Sequence, residues 1–241
     1  MALVGAGGKT TAMLRLAREL QARGKAVVVT TTTRIRPPGH RHRLRLVLGR
    51  TARELHDGVR AALADGDVPV AGHAVAADGK VIGVVAAEVA RLAHLRAVDH
   101  VLVEADGARG KPFKAPRRHE PVIPAAASLV IVVVGIDAVG YRLRTAAHHV
   151  APVRAIARAA GEDVLGPRTI ARVLLDPAGG RKGTPPRARI VYLINKADTA
   201  ARIEHAHVLS RELLAGGARH VVIAALRRRE AILRVDRREV R

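Results

Sequence analysis

The stretch Val4-Gly5-Ala6-Gly7-Gly8-Lys9-Thr10-Thr11 constrains this chain more than any other part of it. A short apolar lead enters a glycine-rich turn, which opens directly into a helical pattern from Ala12 to Leu20 with a C-terminal cap at Gly24. Strand, loop and helix in that order are the setting in which a phosphate-binding loop has meaning. Glycine lets backbone N–H groups turn onto an anion with no Cβ in the way, and the helix N-terminus adds roughly half a positive charge at the same spot. In this reading Gly5, Gly7, Gly8 and Thr11 belong to the phosphate cradle. Lys9 reaches the outer phosphates, and the Thr10 hydroxyl holds Mg²⁺. The plain alternative is a glycine-rich strand-to-helix turn with a chance Gly-Lys-Thr.

The spacing departs from G-x-x-x-x-G-K-[ST], which wants glycine where Leu3 stands. The shorter G-x-G-G-K-T-T is similar to the compact loop of amide-ligase-type ATPases. At 241 residues and 49% apolar, the chain can bury the core of one α/β domain. No run approaches the ~18 to 20 apolar residues of a membrane span. With the first strand starting at once, no signal peptide is expected and a cytoplasmic location is the default. The absence of cysteine excludes disulfides, thiolate metal sites and a cysteine nucleophile.

Net charge is +21, which raises nucleic acid as a partner. Only seven of the 42 basic residues are lysine, however, and the arginines are spread along the whole length. With one Phe, two Tyr and no Trp there is no aromatic platform for bases. The composition matches a GC-rich coding bias, and no specific nucleic-acid partner is expected.

Further along, Ala26 to Thr31 reads as a buried strand running into Thr30 to Thr33, then Arg34-Ile35-Arg36-Pro37-Pro38. Threonines at the C-terminal end of a parallel strand sit where ligands bind in doubly wound sheets, which marks Thr32 and Thr33. Threonine's own strand preference is the bland alternative. A short strand is expected at Leu44 to Leu48, and a helix from Thr51 to Ala64 with Thr51 and Glu54 as a capping box. Val68 to Val85, broken by Asp78-Gly79, reads as an antiparallel hairpin added to the sheet, with a helix over Ala86 to Leu95.

His100 to Val103 is a strand ending in Glu104-Ala105-Asp106. Carboxylates at a strand end beside a phosphate loop suit Mg²⁺, held directly or through water, and make Glu104 and Asp106 the catalytic partners of Lys9. A solvated Asp-Gly turn is the alternative. The segment Arg109 to Pro121 is rich in proline and base, and could clamp phosphates or an anionic substrate. Leu129 to Val134 and Arg189 to Ile194 are core strands, with helical patterns at Val150 to Ala160 and Pro167 to Leu175. At the end of the second strand stand Asn195-Lys196-Ala197-Asp198. In phosphate-loop proteins N-K-x-D at a strand end reads guanine, the Asp accepting from N1 and N2 and the Asn and Lys shaping the pocket. That favours GTP, with ATP left open. Val221 to Ala225 closes the sheet, and the charged tail from Arg227 is helical or frayed. His40 and His42 fall in a basic loop, and His148 and His149 point opposite ways if extended, so neither pair reads as a metal site. The fold expected is a P-loop NTPase-like three-layer α/β sandwich, one domain over residues 1–241, with a mostly parallel sheet and a hairpin elaboration near 68–85.

The pieces VGAGGKTT, VTTTTRIRPP, VEADGARGKPFKAPRRHEPVIP, GGRKGTPP and INKAD occur in an order that resembles the YqeC family. The family is described as selenium-cofactor biosynthesis or selenium-dependent molybdenum hydroxylase accessory proteins. What the resemblance implies is a cytoplasmic bacterial factor acting on a molybdenum hydroxylase cofactor, of molybdopterin type, or on its selenium or sulfur loading. By motif, Gly8, Lys9 and Thr10 take the phosphate role and Glu104 and Asp106 the acidic one, while Lys111, Lys114, His119 and Glu120 fall in the family-specific loop. Only four residues precede Gly5, so the true N-terminus is left open. Three activities compete: a Mg²⁺-dependent NTPase, a non-hydrolysing nucleotide-dependent scaffold for the pterin or a hydroxylase subunit, and a basic nucleic-acid binder.

Overall fold

A computed structural model describes residues 1–37, 43–157 and 164–238. Pro38, His40, His42 and the last residues of the helix expected to end at Ala160 lie outside the described residues. The chain divides into two compact units.

The first unit comprises residues 1–3, 10–106 and 122–127. Strand β1 (Ala2–Gly5) leads to helix α1 (Lys9–Gln21), which ends in a turn where Gly24 takes φ +75°. Next come β2 (Val27–Thr31), the short β3 (Arg34–Ile35), β4 (Leu44–Leu48) and helix α2 (Ala52–Ala64). Thr51 caps α2 by accepting from the Glu54 N–H, while Glu54 Oε2 accepts from the Arg50 N–H, one residue before the expected return bond. After them follow β5 (Val68–Gly72), β6 (Ala74–Val75), β7 (Val81–Ile82), helix α3 (Ala86–Ala93) and β8 (His100–Glu104). The pairs β1–β8, β8–β2, β2–β5 and β5–β4 are all parallel. Strands buried on both faces need unbroken apolar runs, and VVVTT and HVLVE supply them. Against them pack Leu55, Val59 and Ala62 of α2 and Val89 and Leu92 of α3.

The hairpin is smaller than Val68 to Val85. Residues 68–72 are a parallel strand, buried throughout, and only β6 and β7 form the antiparallel elaboration, extended by β3. Full burial erased the alternation that separates a hairpin arm from a sheet strand.

The second unit comprises residues 4–9, 107–121 and 128–241. It holds β9 (Phe113–Lys114), β10 (Leu129–Gly135), a 3₁₀ turn at Ile136–Ala138, helix α4 (Leu143–Ala146) and β11 (Ala147–His148). Helices α5 (Val150–Ala157) and α6 (Pro167–Leu175), strand β12 (Arg189–Asn195), helix α7 (Ala200–Ala215) and strands β13 (His220–Ala224) and β14 (Ile232–Arg237) complete it. β10, β12 and β13 are parallel, and β14 runs antiparallel to β13. The tail is therefore an edge strand, neither helical nor frayed. Its six residues ILRVDR alternate weakly, and their charges mask the strand pattern. The α/β class and the mostly parallel sheet are as expected.

Candidate phosphate-loop and basic-loop sites

In the second unit, the loop after β1 is built around glycines that nothing else can replace. Gly7 has φ +82°, and a Cβ there would lie 2.1 Å from the Gly135 nitrogen. Gly8 has φ +134°, and its Cβ would lie 2.3 Å from Asn195 Nδ2. The loop is held by the ends of the strands: the Ala6 N–H donates to the Val133 carbonyl at 2.9 Å and the Gly7 N–H to the Lys111 carbonyl at 3.2 Å. Lys9 folds back, its Nζ donating to the Gly5 carbonyl at 2.7 Å. The N–H groups of a helix's first turn have no intrahelical acceptor, so the start of α1 is suited to an anion.

Asn195 is a buried clamp on this loop. Its Nδ2 donates to the Gly7 carbonyl at 2.8 Å, and its Oδ1 accepts from the Leu226 N–H at 3.2 Å. Lys196, in the left-handed region at φ +66°, pairs with Asp137 Oδ2 at 2.6 Å. Asp198 Oδ1 accepts from Arg202 at 2.5 Å, and Arg228 donates to the Asp198 carbonyl. Partial burial pushes the Asp198 carboxyl up, yet the Arg202 guanidinium outweighs this and holds it below the usual carboxylate range. With side chains 44% and 37% exposed, that pair is worth only about 0.3–0.5 kcal/mol and does not bar a ligand from Asp198.

In the first unit, Thr10 Oγ1 donates to Glu104 Oε2 at 2.6 Å, and both Glu104 and Asp106 are buried. A hydroxyl and two carboxylates are the hard oxygen donors that Mg²⁺ takes, usually one or two from the protein with phosphate and water completing the shell. Among the described residues no three His, Cys, Asp or Glu side chains gather as a metal site, and a Mg²⁺ site of that kind needs no such group. Thr11 lies in the first turn of α1. The threonines at the end of β2 are engaged in holding the strand end. Thr32 Oγ1 donates to the Val122 carbonyl at 2.8 Å, and Thr31 Oγ1 donates to the Glu104 carbonyl and lies 3.0 Å from Thr33 Oγ1.

The basic loop, in the second unit, is not plain surface. Phe113 and Lys114 are buried, and β9 pairs in parallel with β11, setting Lys114 opposite His148. Lys114 Nζ donates to the Gly107 carbonyl at 2.7 Å and to Glu120 Oε2 at 2.8 Å. Lys111 Nζ donates to the Thr145 carbonyl, and Lys182 Nζ to the carbonyls of Arg117 and Arg118. Burial pushes the Glu120 carboxyl up, but the Lys114 ammonium more than offsets it, leaving the group below its usual range. His119 is exposed and outside this cluster, and Arg109 holds φ +47° at its edge.

The histidines of β11 do not point opposite ways. His149 takes φ +63°, which breaks the extended geometry and turns its ring onto His148 with centroids 3.6 Å apart. His149 Nε2 lies 3.6 Å from Glu120 Oε2. No pattern in the sequence announces a left-handed histidine, so this pair was not legible as part of the loop.

A family model described as "YqeC protein" matches residues 1–151. A protein of Escherichia coli (strain K12) described as "Uncharacterized protein YqeC" is 33% identical over 199 residues, 81% of this chain and 75% of that protein. Among solved structures, chloroplast FtsY from Physcomitrella patens aligns at 16% identity with a TM-score of 0.44, over 91% of this chain and 57% of that one.

Proposed function

The chain belongs to the YqeC family, and from that premise we propose that it is a Mg²⁺-dependent NTPase, cytoplasmic, serving as accessory factor in the maturation of a selenium-dependent molybdenum hydroxylase or its molybdopterin-type cofactor. The observation that carries the reading is the loop itself: left-handed glycines closed against backbone, leading without a break into Lys9 and Thr10 at a helix start. Phosphates would lie against the N–H groups of Gly8 to Thr11. Lys9 would leave the Gly5 carbonyl for the outer phosphates, exchanging a neutral acceptor for a charged one. Thr10 and Asp106 would hold Mg²⁺, with Glu104 accepting from Thr10 and orienting the attacking oxygen. Bound Mg²⁺ would supply neutralisation of charge on the transferring phosphoryl group. Asn195 supports the loop, and Asp198 is the reader of the base, with GTP preferred to ATP.

The second substrate, of pterin type or carried on a hydroxylase subunit, would meet the loop from Arg109 to Glu120. Its Lys111 carbonyl already holds the phosphate loop at Gly7. The resemblance stated for the motifs supplies this setting. Phosphate release from GTP and from ATP, measured on the wild type and on Lys9→Ala, tests the enzyme reading. The variant should lose turnover by a factor of 10² or more, on the order of one lost transition-state contact, with unchanged circular dichroism. Equal turnover in the two proteins would contradict it. Nucleotide binding without release in the wild type would favour the scaffold.

A further inference from the structure

The cluster around the stacked histidines holds more positive charge than it can use. Lys114 and Glu120 neutralise each other at 2.8 Å with side chains only 1% and 14% exposed. Arg109 and Arg117 remain, both close enough to act on His149, and neither is balanced by a second carboxylate among the groups acting on it. Two neutral imidazoles beside two guanidinium groups make an arrangement that lacks an anion. The His149 side chain is 8% exposed, and its backbone is held in a conformation that costs a non-glycine residue about 1–3 kcal/mol. Strain of this kind persists only where the surroundings impose it, and here it serves to aim one ring at Glu120 and at its neighbour's ring.

We propose that His148, His149, Arg109 and Arg117 form a receiving site for a dianionic oxyanion of the phosphate-monoester class, carried by the second substrate. The inference rests on the proposed role of the basic loop, and it adds the group recognised and the residues that recognise it. Arg109 and Arg117 supply forked donors for the oxyanion. Glu120, pinned by Lys114 and by the Arg117 N–H, faces His149 on the opposite side and stabilises its imidazolium. The anion and Glu120 together then make protonation of the pair favourable, so binding takes up a proton.

The charges that face the pair are known from each side. Burial, Lys114, Arg109 and the neighbouring ring hold His148 down at about 4, against the pull of Glu120. Burial likewise lowers His149, with Glu120 raising it and Arg117, Lys114 and Arg109 lowering it. An added dianion opposes these lowering effects directly. By linkage, affinity for the oxyanion must then strengthen as pH falls below the ordinary histidine range.

The test is an NMR titration of the two imidazoles, identified with His148→Gln and His149→Gln, in phosphate and in chloride at matched ionic strength. It is repeated on Lys9→Ala and on Arg109→Gln/Arg117→Gln. Both arginine side chains are exposed, and the Arg117 backbone bonds survive the change, so the double variant keeps the loop. The expected result is that inorganic phosphate moves both midpoints to higher pH in the wild type and in Lys9→Ala, and not in the double variant. Midpoints equal in phosphate and chloride would overturn the proposal. So would a response that survives loss of both arginines. A response lost in Lys9→Ala would assign the anion to the phosphate loop and overturn the separate site, whereas failure of nucleotide binding alone leaves the titration untouched.

Discussion

Asn195 shows how one residue can serve a motif other than the one it spells. In the sequence it opens Asn-Lys-Ala-Asp and suggests a base reader. In the structure both ends of its amide are spent on backbone, at Gly7 and at Leu226, and it is buried. Replacing it removes two hydrogen bonds and leaves a buried carbonyl and a buried N–H without partners. Each orphaned group costs about 1–3 kcal/mol. Asn195→Ala should therefore lower the midpoint of thermal unfolding by several degrees and weaken nucleotide binding in parallel, as read by calorimetry. Wild-type stability in this variant would show that the clamp does not hold the loop. Gly7 and Gly8 explain why: with a Cβ excluded at both, the loop has one path, and Asn195 closes it.

At the scale of elements, the loop from Arg109 to Pro121 is ordered by β9, which pairs with β11. That contact places His148 where burial and the neighbouring positive charges drive its midpoint down to about 4. The unfolded chain protonates this histidine near 6.5 and the folded chain does not, so stability is full above 6.5 and falls as pH drops toward 4. His148→Gln should flatten that part of the stability curve in urea melts at successive pH values. A curve of unchanged slope would remove His148 as its cause. The same elements mark what the sequence could and could not disclose. β2, β8, β10 and β12 were legible because buried parallel strands are long β-branched runs. The phosphate loop was legible because its chemistry is local: glycine, lysine and threonine in consecutive positions. Helix α7 was not singled out, since its AARIEHAHVLSRELLA scatters charge and alanine around the axis and buries only Ala206, Leu209, Ser210 and Leu213. β14 was misread because its pairing with β13 is tertiary, and Lys114, Glu120 and His149 meet only through a strand pairing of two residues.

For the molecule as a whole, two features bear on function. Among the described residues no helix is long and apolar enough to cross a membrane. The net charge of +21 makes any polyanion a weak ligand at low salt, so ligand binding has to be read near 200 mM salt, roughly where purely phosphate-driven association collapses. Under that condition, calorimetric titration of GTP and ATP with Mg²⁺ into the wild type, Lys9→Ala and Asp198→Ala tests the central claim most directly. The account predicts that GTP binds the wild type, that Lys9→Ala abolishes binding, and that Asp198→Ala loses the preference for GTP while keeping the phosphate contribution. Heats of dilution alone for both nucleotides in the wild type would contradict the account, because a loop so closed around its glycines would then serve some other anion.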